Sequence, residues 1–164
     1  MISDKMVKAI NEQIKNELFS GYLYLSMAAW FEDQNLPGMA KWMYAQASEE
    51  QAHAMKFFHY LVERGARVEL ETIDKPQVDF VSALNVFEMS LDHERKVTAM
   101  INNLYEIAVA EKDYPSQVLL QWYIEEQVEE EDNVGTAVEM LKMSEGKAWQ
   151  LLMLDGKFGA RAEH

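Results

Sequence analysis

Apolar residues along this chain recur at alternating spacings of three and four, the pattern of helices that each turn one face to a shared core. Four long segments show it. The first seam runs Ile10, Ile14, Glu17, Gly21, Tyr24, Ala28, and the second Met39, Met43, Gln46, Glu50, His53, Phe57, Tyr60. The third runs Phe80, Leu84, Phe87, Leu91, Glu94, Thr98, Ile101, Tyr105, and the fourth Leu120, Tyr123, Gln127, Glu130, Val134, Ala137, Leu141.

Breakers fall between the seams. Ser3 and Asp4 can cap a first helix that runs to about Gln34, and Asn35-Leu36-Pro37-Gly38 reads as a turn with Pro37 in the first turn of the next helix. That second helix stops near Gly65, and residues 66–79, with Thr72, Asp74 and Pro76, form a long connection. A third helix is expected from about Phe80 to Lys112 and a fourth from the Asp113-Tyr114-Pro115-Ser116 break to about Met143. Lys147 to about Gly156 gives a short fifth helix, with Trp149, Leu151, Leu152 and Leu154 apolar, set to pack on its own bundle or against symmetry mates around a channel. Two helical hairpins joined by one long crossover make an all-α four-helix bundle, and the whole chain, 1–164, reads as one domain.

Every seam is apolar except near its middle, where a carboxylate, amide or imidazole interrupts it. In an antiparallel bundle the helix middles share one level, so Glu17, Glu50, His53, Glu94, Gln127 and Glu130 should converge in the core. The spacing repeats: Glu50 follows Glu17 by 33 residues and Gln127 follows Glu94 by 33, each with a second ligand-type residue at +3, His53 or Glu130. The two halves are thus related by an offset of 77. Four buried carboxylates without partners cost several kcal/mol each. Two divalent cations would neutralise them, and carboxylates with one imidazole suit a hard transition ion such as iron or manganese.

Composition narrows the chemistry further. The 164 residues include no cysteine, which removes disulfides, thiolate metal sites and cysteine catalysis. A net charge of −13 argues against nucleic acid as a partner and for the attraction of cations. No apolar run reaches the ~18 residues of a membrane span, and the start MISDKMVKAI lacks the apolar stretch of a secretion signal, so a cytoplasmic address is expected.

The pattern resembles the non-haem ferritins over essentially the whole chain, most closely the bacterial ones. Glu50-Gln51-Ala52-His53 within ASEEQAHA is similar to the second-helix signature of that family, and LLQWYIEEQVEEE, holding Gln127 and Glu130, to its fourth-helix signature. The resemblance implies a ferritin-like bundle in which Glu17, Glu50 and His53 bind one iron and Glu50, Glu94 and Glu130 the second, with Glu50 bridging. It assigns Gln127 a hydrogen bond at the site, and Tyr24 a hydrogen bond and a possible electron. It also implies a third iron site at Glu49, Glu126 and Glu129 with Glu130 shared, although the run Glu125 to Glu131 also reads as a plain solvated face. Bacterioferritins repeat Glu-x-x-His in both halves and carry a haem-binding methionine where this chain has Gln51, so no haem is expected.

The expected activity is oxidation of Fe(II) by O2 or H2O2, with the ferric product stored inside a homo-oligomeric shell of 24 subunits. A di-iron oxidase or electron-transfer protein without storage is the alternative, and a bundle whose polar layer only sets register is a second. His59, His93 and His164 have no seam partner and read as surface or packing residues, and the eleven methionines as core filler. Trp122 reads as a packing residue or as an interceptor of oxidising equivalents beside the third site.

Overall fold

A computed structural model describes residues 1–161, so His164 lies outside the described residues. Five helices follow in order: α1 (Asp4–Asp33), α2 (Pro37–Glu63), α3 (Ala83–Ala110), α4 (Tyr114–Ser144) and α5 (Ala148–Gly159). Local chemistry sets their ends. The Ser3 hydroxyl accepts from the Met6 amide at 3.1 Å, Pro37 sits in the first turn of α2, and Asp113 accepts from the Ser116 amide at 3.3 Å. Gly65 and Gly146 take the left-handed backbone that halts α2 and α4, at φ +69° and +68°. Two boundaries differ from expectation by three residues. α3 begins three residues later than Phe80, because Ser82 caps it through the Asn85 amide, and α5 continues past Gly156 to Gly159.

α1 and α2 form one hairpin, α3 and α4 the other. The crossover is pinned along α1. Asn11 donates to the Arg67 carbonyl and accepts from the Glu69 amide, Lys15 pairs with Glu71 at 3.2 Å, and Ser26 donates to the Gln77 carbonyl. As the crossover advances it climbs α1 from its first turns towards its last, so α3 starts where α1 ends.

The core consequently divides in two. One apolar cluster joins the end of α1, the starts of α2 and α3 and the end of α4, with Phe31, Met43, Phe87 and Leu141. The other joins the opposite ends, with Met6, Ile10, Phe57, Ile101 and Leu120. Polar side chains fill the level between them. The seams of α1 and α4 are buried throughout, but that of α3 is partly out of phase. Leu84, Leu91, Thr98 and Tyr105 are only half-buried, while Val86, Ser90, Val97 and Leu104 face inward, and on α2 Tyr60 is half-buried.

α5 divides its apolar residues between two faces. Leu151, Leu154 and Phe158 pack on the first cluster, whereas Trp149, Leu152 and Met153 stay more than 60% exposed. Asp155 accepts from the Gly38 and Met39 amides at 3.1 and 2.8 Å, capping α2 from another helix. No helix among the described residues is long and apolar enough to cross a membrane.

Candidate metal centre

Glu17, Glu50, His53, Glu94, Gln127 and Glu130 all reach the polar level, and none is more than 4% exposed. Gly21, one turn beyond Glu17, makes room for this: a side chain there would meet the Ala47 carbonyl at 3.2 Å and the Glu50 Cβ at 3.6 Å. α2 thereby approaches α1 closely where Glu50 enters.

Glu17, Glu50 and His53 each present a ligand atom within 4.8 Å of the others. His53 Nδ1 lies 3.4 Å from Glu50 and 4.0 Å from Glu17, while its Nε2 faces Glu126 at 3.6 Å. Nδ1 thus points to the centre while Nε2 points to a carboxylate behind it, the orientation that would offer the Nδ1 lone pair to a metal. Tyr123 adds a fixed point by donating to the His53 carbonyl at 2.6 Å.

The other half is wired differently. Tyr24 donates to Glu94 Oε1, and Gln127 donates to Glu94 Oε2 at 3.1 Å. Gln46 donates to Glu130 at 2.9 Å, and Gln13 to Glu17 at 3.0 Å. Glu50 has no such support: both of its oxygens are buried and meet no donor, as does one oxygen of Glu17. Burial first, then the charges of Glu94 and Glu17, push the Glu50 carboxyl well above its ordinary range. Burial raises Glu130 to about 8, with the charge of Glu94 adding and the Gln46 hydrogen bond opposing. Glu94 rises to about 7, again by burial, against the bonds from Tyr24 and Gln127. Tyr24 is raised by burial and by the neighbouring carboxylates, so it stays a neutral donor. The cluster thus carries more acceptors than protein donors can serve, a donor set whose chemistry fits a cation.

A second group, His53, Glu126 and Glu130, adjoins the first. A pocket of about 260 Å³ lined by Glu49, His53, Trp122 and Glu126, with Ala45, Ser48 and Ala52, leads to it. Trp122 stands edge-on to His53 with ring centres 5.4 Å apart, under the Lys56 ammonium. Glu49 lines this pocket but is ion-paired to Arg161, and Glu129 lies exposed on α4. A larger groove of about 700 Å³ between α3 and α4 includes none of the centre's residues.

Sequence reasoning passed over Gln13, Gln46 and Tyr123 as members of this layer. Gln13 and Gln46 each precede a seam glutamate by four, 33 residues apart, which was a signal in plain view. His93 proves to be a packing residue, largely buried between Ser20, Phe19 and Tyr24 and kept neutral by that burial.

A helical-hairpin pair joined by a crossover, with carboxylates from all four helices and one imidazole at mid-level, defines the ferritin-like class of metal-binding bundles. The model of the ferritin-like domain matches residues 7–144. Bacterial non-heme ferritin of Campylobacter jejuni is 41% identical over 143 residues, covering 87% of this chain and 86% of that one. That of Staphylococcus aureus is 35% identical over 161 residues, 98% of this chain and 97% of the relative. Among solved structures, an open-pore ferritin from the archaeon Archaeoglobus fulgidus superposes with a TM-score of 0.98 at 44% identity, covering 99% of this chain and all of that one. A form of that ferritin engineered to be closed matches equally well, at TM-score 0.98 over the full length of both chains. The chain belongs to the ferritin family.

Proposed function

We propose that this iron-storage protein oxidises Fe(II) at the buried centre and deposits the ferric product inside a shell of its own copies. The observation that carries the reading is Glu50, whose two buried oxygens meet no donor and face both halves of the layer. Glu17, Glu50 and His53 would receive one ferrous ion, and Glu50, Glu94 and Glu130 the other, with Glu50 shared. Gln127 and Tyr24 hold Glu94 in position, and Tyr24 is placed to supply an electron. Each ferrous ion gives up one electron. Two electrons and two protons convert O2 to H2O2, or H2O2 to two waters, and the ferric ions leave as cargo.

Glu126 has two compatible tasks, orienting His53 when the ring is neutral and ligating a third ion with Glu130, Glu49 and Glu129. The exposed Trp149, Leu152 and Met153 on α5 suit burial against further copies, in a shell of 24 by analogy with the family. The acidic chain supports work away from nucleic acid, and Gln51 between Glu50 and His53 supports a centre without haem; the proposed setting is the cytoplasm.

The test is addition of Fe(II) to metal-free protein in air. Retention of far more iron than three ions per chain, in a large soluble particle, is the expected result. Glu50→Ala and His53→Ala should each slow the oxidation at least about 100-fold while the helical circular dichroism stays unchanged. Unchanged rates in both would refute the assignment, and rapid oxidation with retention stopping at the sites would mean an oxidase.

A further inference from the structure

Glu49 already has a cation. Arg161, two residues beyond the end of α5, places Nη2 at 3.1 and 3.4 Å from the two Glu49 oxygens. The pair is well shielded, with the side chains only 14% and 10% exposed. The guanidinium also lies over the Trp42 ring at 4.3 Å. Its position is not an accident of a loose tail. Asp155 fixes α5 to the start of α2, Phe158 is buried in the core, and the Arg161 amide continues the last turn by donating to the Phe158 carbonyl.

The Arg161–Glu49 pair sits beside the pocket that leads to His53, Glu126 and Glu130, and both of its charges reach Glu130. Within the reading given above, Glu49 is a ligand of the third ion. A guanidinium bonded to both Glu49 oxygens and a metal ion on the same oxygens exclude one another, by charge and by space. Arg161 is also incompletely served, since its buried Nη1 has no partner, so the closed state carries an unmet donor that release would satisfy with water.

We propose that Arg161 is a built-in competitor for the third metal position, withholding Glu49 until an arriving ion displaces it. The two ions at Glu17, Glu50, His53, Glu94 and Glu130 bind regardless of Arg161. The third binds only as the guanidinium leaves, so it is held weakly and passes on readily. Linkage makes the effect reciprocal: whatever factor Arg161 takes from the third ion's affinity, the third ion takes from the docking of Arg161.

The experiment titrates intact metal-free protein with Zn(II), a redox-silent probe, by calorimetry, and locates the ions by anomalous scattering from soaked crystals. Arg161→Ala and Arg161→Gln should tighten the third ion about tenfold and leave the first two within about twofold, while Arg161→Lys should keep it weak. The gain should vanish when Glu49→Gln is added. In the wild type, filling the third position should speed the reaction of Arg161 with phenylglyoxal by a similar factor, a measurement that needs no variant. A third ion unmoved by loss of Arg161, a gain that survives Glu49→Gln, or an arginine no more reactive when the position fills would each overturn the proposal. Absence of Zn(II) from the paired positions in every variant would instead overturn the reading of the centre itself.

Discussion

Without a metal, Glu50, Glu94 and Glu130 hold protons that the unfolded chain would release. Their raised proton affinities mean that the folded state binds more protons above the ordinary carboxylate range near 4.5. Stability of the metal-free protein should therefore fall as pH rises from about 5 through about 8, the value to which Glu130 is pushed, and go on falling for as long as Glu50 keeps its proton. Thermal melts across that range test this, and Glu130→Gln should flatten part of the slope. With Zn(II) bound the dependence should reverse, since protons then compete with the metal. A flat metal-free profile would mean that the carboxylates are not buried together. Residue by residue, the buried carboxylates of the layer and His53 were legible because a polar group on an apolar seam is conspicuous. Gln46 and Gln13 carried a signal in their common spacing from Glu50 and Glu17, but a glutamine reads as mild filler until its partner, Glu130 on α4 or Glu17 one turn on, is known. Tyr123 looked like core for the same reason: its ring is apolar, and only the target of its hydroxyl, a backbone carbonyl of α2, gives it a task.

α5 is attached through two glycines. A side chain on Gly38 would overlap the Asp155 carbonyl, and one on Gly159 would come within 2.8 Å of the Gly38 Cα. Gly38→Ala should thus undock α5 although alanine favours helix elsewhere. Loss of the Asp155 cap and of Phe158 burial should together cost about 3 kcal/mol. Limited proteolysis between α4 and α5 reads the undocking directly, and unaltered protection would contradict the packing. The crossover offers a second case. Asn11→Ala removes both of its bonds to residues 67 and 69 and should cost about 1–2 kcal/mol in a denaturant melt. The boundaries at Ser3, Asp113, Gly65 and Gly146 were plain in the sequence, whereas the Ser82 cap of α3 was passed over for the nearby Phe80. The phase of α3 was not, because its inward face mixes Val86, Ser90 and Val97 with larger residues that lean out at the flanks, and spacing alone favours the larger ones.

Across the whole molecule, the two apolar clusters are separated by a layer of carboxyl groups that protons neutralise in the metal-free chain and that a cation would neutralise in their place. Zn(II) at about 100 times its dissociation constant should add roughly 2.7 kcal/mol of stability for each site filled. A melting temperature unchanged by Zn(II) would leave the layer without a ligand. The layer has an additional consequence. Sliding any one helix by a single turn would carry its carboxylate into Phe31, Phe87 or Met43 on one side, or Phe57 and Ile101 on the other. Most four-helix bundles built from similar aliphatic seams tolerate such slippage at modest cost, but here each misalignment strands a buried charge. The side chains proposed to hold iron also act as an alignment mark, admitting one axial setting of four helices and rejecting its neighbours.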